Sequence, residues 1–244
     1  MKEFNPAGYV IRLSEQSLIS LVMSALEAYV VENQNITHRK NIQLEVFGNL
    51  FGQEINMANG KTLYNVEFVH TDTTAKQREG DVTPNDDALA LKNDLVRSYW
   101  PHLSYLGDFH THPDDHVKDI KELKNFYFSL GDRQCLVDHQ EYFEKINYRI
   151  GLVLAVSRLE KKSTKYNRWH GSQLNRIEIT KGNLRIWIGG YIAFLDSDGD
   201  AVYSKDNDSK VILDIPSIMG LNFEHNDFGK FDVKEEIKKY KSAK

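Results

Sequence analysis

The stretch YRIGLVLAVSR, Tyr148 to Arg158, sets the first limit on the fold. From Ile150 to Val156 it carries no charge and no polar side chain. A short uninterrupted apolar run of this length reads as a buried strand, which implies a sheet around it. Downstream, QLNRIEITKGNLRIWIGGYIAFL reads as two more strands. Upstream, NIQLEVFGNLFGQ, Asn41 to Gln53, is β-branched and aromatic around two glycines, and KTLYNVEFVHTD alternates with an imperfect period of two. Between them lies NMANGK, where Asn59-Gly60 is a strong turn signal, so the pair is expected to form a hairpin.

Helical patterns flank these strands. Ser14 can cap a helix whose apolar residues recur at Leu18, Val22, Ala25 and Tyr29, with Leu21, Leu26 and Val30 widening the face. Thr83-Pro84-Asn85-Asp86 is expected to open a second helix. Thr83 would be its cap, Pro84 its first turn and Asp86 the partner in a capping box. That helix should run to about Trp100, with Leu91, Leu95 and Tyr99 on one side. LSYLGDF reads as a short strand, followed by a polar helical stretch from Val117 and another helix from Ser129. KEEIKKYKSAK closes the chain as a charged tail or a solvated helix. The order of elements describes one α/β domain around a mixed sheet.

Composition removes several classes of function. The net charge is -4, which leaves no basic footprint for a nucleic-acid binder. One cysteine, Cys135, excludes a disulfide framework and a thiolate zinc site, and is expected in the core; a reducing compartment is the default. The opening MKEFNPAGYVIRLSEQ lacks the continuous apolar core of a signal peptide. Leu18 to Val31, the longest apolar-rich stretch, is interrupted and too short to span a bilayer. A cytoplasmic protein without a membrane partner is the expectation.

YLGDFHTHPDDH, Tyr105 to His116, is the densest cluster of chemistry, with three of the nine histidines. On a strand, residues i and i+2 point to one side, so His110 and His112 can converge on one ion. Zinc takes imidazole nitrogens at about 2.0–2.1 Å and, in catalytic sites, three protein ligands, so a third must come from elsewhere. The motif H-x-H-x-D-H of metallo-β-lactamases is one residue away, but Asp115 stands where a histidine is needed and His116 comes one step late. Amidohydrolase-type barrels carry an H-x-H pair on their first strand. Here the pair sits at residue 110, and His116, His139, His170 and His225 follow no repeated strand–helix unit. His116 reads as a solvated rim residue. DSDGD, Asp196 to Asp200, opens like a calcium loop but has Ala201 where glycine is required and Asn207 where a bidentate glutamate is required. It reads as a polar hairpin turn.

Three pieces taken together carry a more specific likeness. LEVFGNLFG supplies Glu45 with Gly48, Leu50 and Gly52; GDFHTHP supplies His110, His112 and Pro113; SLGD supplies Ser129 and Asp132. This order of E-x-x-G-x-L-x-G, H-x-H-P and S-x-x-D resembles the JAMM (JAB/MPN) zinc metalloprotease family, in a prokaryotic-type member, over about residues 14 to 195. Fifteen residues, 114–128, separate Pro113 from Ser129, a longer spacing than the family's usual one.

The resemblance implies a single JAB/MPN-like domain over 1–195, a mixed curved sheet flanked by helices and layered as in cytidine deaminases. Residues 196–244 would then be a C-terminal hairpin, extension and charged tail. It implies one Zn2+ per chain on His110, His112 and Asp132, with Glu45 as general base and Ser129 as a donor to the developing oxyanion. Ser129 and Asp132 also match a helix capping box, a role compatible with the first. The activity implied is hydrolysis of the amide after the C-terminal tail of a ubiquitin or ubiquitin-like protein, by deconjugation or precursor processing. Conjugation enzymes of E1 and E2 type, encoded nearby in a bacterial antiphage system, are implied as possible partners. The alternative is a non-catalytic MPN-type scaffold within a larger complex. The insert is expected to be a short helix with Phe126, Tyr127 and Phe128 partly lining the tail groove, or else to use those aromatics as core anchors.

Overall fold

The computed structural model describes residues 1–31, 44–78, 81–116, 120, 126–160, 168–169, 173–181, 183–203 and 208–216, with the backbone alone at 114–116, 168, 181, 203 and 208. The expected strand start at 41–43, the helical stretch at 117–119 and 121–125 and the charged tail at 217–244 lie outside the described residues.

Helix α1 (Glu15–Val30) starts as the sequence suggests: the Ser14 side chain accepts from the Ser17 N–H, and Leu18, Leu21, Ala25 and Tyr29 are buried. Strands β2 (Phe47–Asn56) and β3 (Thr62–Thr71) form the expected hairpin. Gly60 takes φ +82 in its turn, a backbone conformation open to glycine at little cost. Helix α2 (Asp86–Tyr99) departs from expectation at its start. Its cap is Asn85, whose side chain accepts from the N–H groups of Asp87 and Ala88. Thr83 is instead recruited into a two-stranded ribbon, β4 (Lys76–Gln77) with β5 (Val82–Thr83).

One sheet organises the chain. Its order is β12 (Val211–Asp214), β1 (Tyr9–Leu13), β3, β2, β6 (Ser104–His116), β7 (Ile150–Arg158), β10 (Leu184–Leu195), β9 (Arg176–Lys181) and β8 (Arg168–Trp169), with β11 (Ala201–Tyr203) hairpinned onto β10. The β12–β1, β1–β3 and β6–β7 pairs are parallel and the others antiparallel, so the sheet is mixed. It is also strongly curved and nearly closed: the Leu213 N–H on β12 donates to the Leu174 carbonyl ahead of β9, at 2.8 Å. Because β12 pairs with β1, part of the chain beyond residue 196 belongs to this same sheet. The Asp196–Asp200 stretch is a hairpin turn in which the Asp196 carboxylate accepts from the N–H groups of Asp198 and Asp200.

Two layers cover the sheet. The main core gathers residues from strands at both ends of the order, Leu213 and Ile177 among them, around α1. On the opposite face Leu89 and Val96 of α2 pack with Phe51, Tyr105, Leu136 and Tyr148. A parallel pair such as β6–β7 needs a crossover of a dozen residues or more. Residues 117–149 supply it and include α3 (Leu130–Asp138) and α4 (Gln140–Lys145). Among the described residues, no helix is long and apolar enough to cross a membrane.

Candidate metal centre

Strand β6 lies between β2 and β7, so its ends are fixed from both sides. A register shift between Tyr105 and Gly107 lets Leu106 and Phe109 both enter the α1 core, and beyond it the strand alternates, so Asp108, His110 and His112 share the other face. Phe109 is wholly buried, worth about 1.5–3 kcal/mol. A one-residue slip would take it out of the α1 core and put the histidines there in its place, so its packing fixes the register. Gly107 lets the strands close up here, since a Cβ on it would lie 1.7 Å from the Ile150 carbonyl oxygen. The Phe128 ring packs edge-on against His110 at 5.4 Å between centroids.

Asp132 comes from the crossover. Ser129 caps α3 in a complete capping box: its Oγ accepts from the Asp132 N–H at 3.1 Å, and its own N–H donates to Asp132 Oδ2 at 2.6 Å. The carboxylate is thereby held in one orientation at the helix start, and that orientation faces β6. Asp132 Oδ2 stands 3.4 Å from His110 Nε2 and 4.0 Å from His112 Nε2. The two Nε2 atoms are 3.1 Å apart.

These three separations define a triangle whose circumscribed circle has a radius of about 2.1 Å. A point at its centre is therefore at metal–ligand distance from all three atoms at once, because N and O donors bind zinc at about 2.0–2.2 Å. His110, His112 and Asp132 could hold a metal ion. Two imidazoles and one carboxylate suit a borderline divalent ion, and three protein ligands leave further positions open.

Glu45 does not lie on a regular strand. It precedes β2 in an extended segment, because the Val46 N–H donates to the Thr111 hydroxyl at 2.8 Å instead of to a backbone carbonyl. The pairing still continues outward, with the Thr111 N–H donating to the Val46 carbonyl and the Glu45 N–H to the Arg78 carbonyl. Phe47 pairs with His110, so two residues further out Glu45 stands on the histidine face beside His112. It is half-buried, and its charge is felt at His110.

Electrostatics tie the group together. Burial pushes the His110 pKa down, but the Asp132 carboxylate and its hydrogen bond, then Asp108 and Glu45, bring it above the usual value. Burial works to raise the Asp132 pKa, while His110, Ser129 and His112 hold the carboxyl well below its ordinary range. Asp108 is a carboxylate the sequence reading did not single out. Burial raises its pKa to about 7, against the lowering effect of His110 and of the Tyr148 hydroxyl, which donates to its Oδ1 at 2.9 Å. An aspartate two residues before a ligand histidine on the same strand was the signal available.

Other expectations fare differently. Cys135 is exposed rather than in the core, because α3 buries only Leu136 against the sheet. Partial burial and then Asp108, Asp132 and Asp138 push its thiol pKa up. Phe126 and Phe128 are buried in two small clusters with Trp187 and with Tyr191, so they anchor the insert and do not line a groove. Tyr127 is half-buried beneath the Arg176 guanidinium, 3.8 Å from its ring centroid. The His116 side chain is outside the described residues. No protein-family model matches the chain, and no curated protein is significantly similar to it.

Proposed function

We propose that the chain is a zinc metallopeptidase of JAMM (JAB/MPN) type that hydrolyses an amide after the C-terminal tail of a ubiquitin-like protein. The observation that carries this reading is the close spacing of His110 Nε2, His112 Nε2 and Asp132 Oδ2, 3.1, 3.4 and 4.0 Å apart, with the charge of Glu45 felt at His110. The residues fit Zn2+ by donor type and by spacing. Zinc held there supplies a Lewis acid and lowers the pKa of water to about 7.

The chain's own groups would do the rest. Glu45 takes the proton of the attacking water and delivers it to the leaving amine. The Ser129 oxygen already accepts from the Asp132 N–H, so its hydroxyl proton is left to donate to the oxygen on which charge develops. Such a donor contributes about 3–4 kcal/mol in hydrolases where it has been removed. The capping box keeps Ser129 and Asp132 in fixed relation, so ligand and donor are set by one helix start. An extended tail is a suitable substrate because it can add to a strand by backbone hydrogen bonds. Conjugation enzymes of E1 and E2 type, in the cytoplasm of a bacterium, are the partners this reading suggests.

The test is metal analysis together with cleavage of a ubiquitin-like fusion, wild type against Glu45→Ala. One zinc per chain is expected in both proteins, with cleavage lowered about 10²- to 10⁴-fold in the variant. A wild type without zinc, or a variant that cleaves as fast as wild type, contradicts the hydrolase reading.

A further inference from the structure

Thr111 is polar where the alternation of β6 calls for an apolar side chain. Phe109, two residues before it, lies in the α1 core. So do Val46 and Leu154, its neighbours on β2 and β7. Thr111 is itself buried, and a hydroxyl in such a place is costly unless it is bonded. Its partner is the Val46 N–H, at 2.8 Å.

That bond replaces another. Val46 and Thr111 continue the β2–β6 register one step beyond Phe47 and His110. A regular antiparallel pair at this step exchanges two backbone bonds. One is present, from the Thr111 N–H to the Val46 carbonyl at 3.0 Å. The second is missing, because the Thr111 hydroxyl takes the Val46 N–H that its carbonyl would otherwise receive. Glu45 sits at the point where the ladder is interrupted. Its own N–H turns the other way and donates to the Arg78 carbonyl at 3.2 Å, and the Arg78 N–H donates to the Asp81 carbonyl at 2.9 Å. Both peptide units flanking the Glu45 Cα are thus tied, one to the turn beyond β4 and one to a side chain between the two histidines.

We propose that Thr111 is a positioning residue for Glu45. By holding the Val46 N–H on its hydroxyl it sets the peptide plane after Glu45, and with it the direction in which the carboxylate leaves the chain beside His112. This rests on the metallopeptidase reading, which it deepens by naming what aims the general base. Without the hydroxyl, the Val46 N–H falls to the carbonyl of residue 111. The ladder then closes by one more regular bond, the peptide turns, and Glu45 is carried with it. A displacement of about 1 Å at a reacting group costs about a hundredfold in rate.

The experiment compares zinc-loaded full chains with Thr111→Val, Thr111→Ala and Thr111→Ser, each alone and combined with Glu45→Ala, on a ubiquitin-like fusion. Thr111→Val should lower kcat about ten- to a hundredfold with KM and zinc content unchanged. Thr111→Ser should stay within about threefold of wild type, while Thr111→Ala, which differs from it by one oxygen, should fall with Thr111→Val. In the Glu45→Ala background none of the three should lower the rate further, because residues that act as a unit are not additive. NMR supplies a readout apart from activity. A coupling across the hydrogen bond from the Val46 nitrogen to the carbonyl carbon of residue 111 should appear in Thr111→Val and Thr111→Ala. It should be absent in wild type and Thr111→Ser. Wild-type kcat in Thr111→Val, equal loss in Thr111→Ser and Thr111→Ala, a further loss on top of Glu45→Ala, or no new coupling overturns the proposal. Equal cleavage by wild type and Glu45→Ala defeats the hydrolase reading instead. The coupling alone then decides whether Thr111 sets the backbone at residue 45.

Discussion

Asp72 and Asp132 both tie the start of a helix to the sheet, and they do so with different consequences. Asp72 is buried at the end of β3: its Oδ1 accepts from the Thr74 N–H and hydroxyl, at 2.9 and 2.7 Å, and its Oδ2 from the Asn85 N–H at 3.3 Å. Lys92 stands 3.8 Å away. Its charge is thus met entirely within the protein. Asp132 has one backbone N–H on Oδ2 and turns that same oxygen to two imidazoles. The first aspartate is part of the architecture. The second leaves part of its charge directed at a point that an ion can occupy.

Removing each carboxylate should separate the two roles. Asp132→Ala should weaken zinc binding by more than about a hundredfold, since even outer partners of metal ligands are worth 10- to 100-fold. The same change should cost only about 1 kcal/mol of stability, the worth of a helix cap. Asp72→Ala should leave zinc binding unchanged but lower stability by about 3 kcal/mol, because it strips a charged acceptor from three donors. Zinc titration and urea unfolding on both variants check the pair.

The acid limb gives an independent handle on Asp72. Burial tends to raise its pKa, but the hydrogen bonds from Thr74 and Asn85 and the Lys92 charge bring it below the ordinary value. A depressed folded-state pKa means that the stabilisation is complete above the unfolded value of about 3.9 and is lost as pH falls through the folded one. The stability gap between wild type and Asp72→Ala should therefore begin to narrow below about pH 4 and go on narrowing as pH falls further. The smallest expected effect concerns the cap of α2. Asn85→Ala should cost about 1 kcal/mol and Thr83→Ala less than about 0.5 kcal/mol, with thermal melts as the readout. The reverse order would restore Thr83 as the cap.

The same contrast explains what was legible in the sequence. Ser129-x-x-Asp132 and Thr83-x-x-Asp86 carry the same local signal, yet only the first forms a capping box. Thr83 is withdrawn by pairing with Lys76 in a ribbon that no local pattern announces. The β2–β3 hairpin and strands β7, β9 and β10 were readable because turn chemistry and apolar runs are local properties. Strands β1 and β12 were not, since Tyr9 meets Val211 across the length of the chain in a parallel pair. Cys135 was misjudged because α3 has almost no apolar stripe: Leu130 and Val137 are exposed beside it. Asp108 was legible from its place two residues before His110 on one strand, but its burial and its bond from Tyr148 were not, since Tyr148 is forty residues away.

X-ray absorption at the zinc edge, on the full chain loaded with one equivalent of Zn2+, tests most directly whether His110, His112 and Asp132 hold a catalytic ion. The expected spectrum has four N/O neighbours at about 2.0–2.2 Å, two of them with the outer-shell signature of imidazole. Six oxygen-type neighbours without imidazole scattering, or a sulfur at about 2.3 Å, would contradict the assignment.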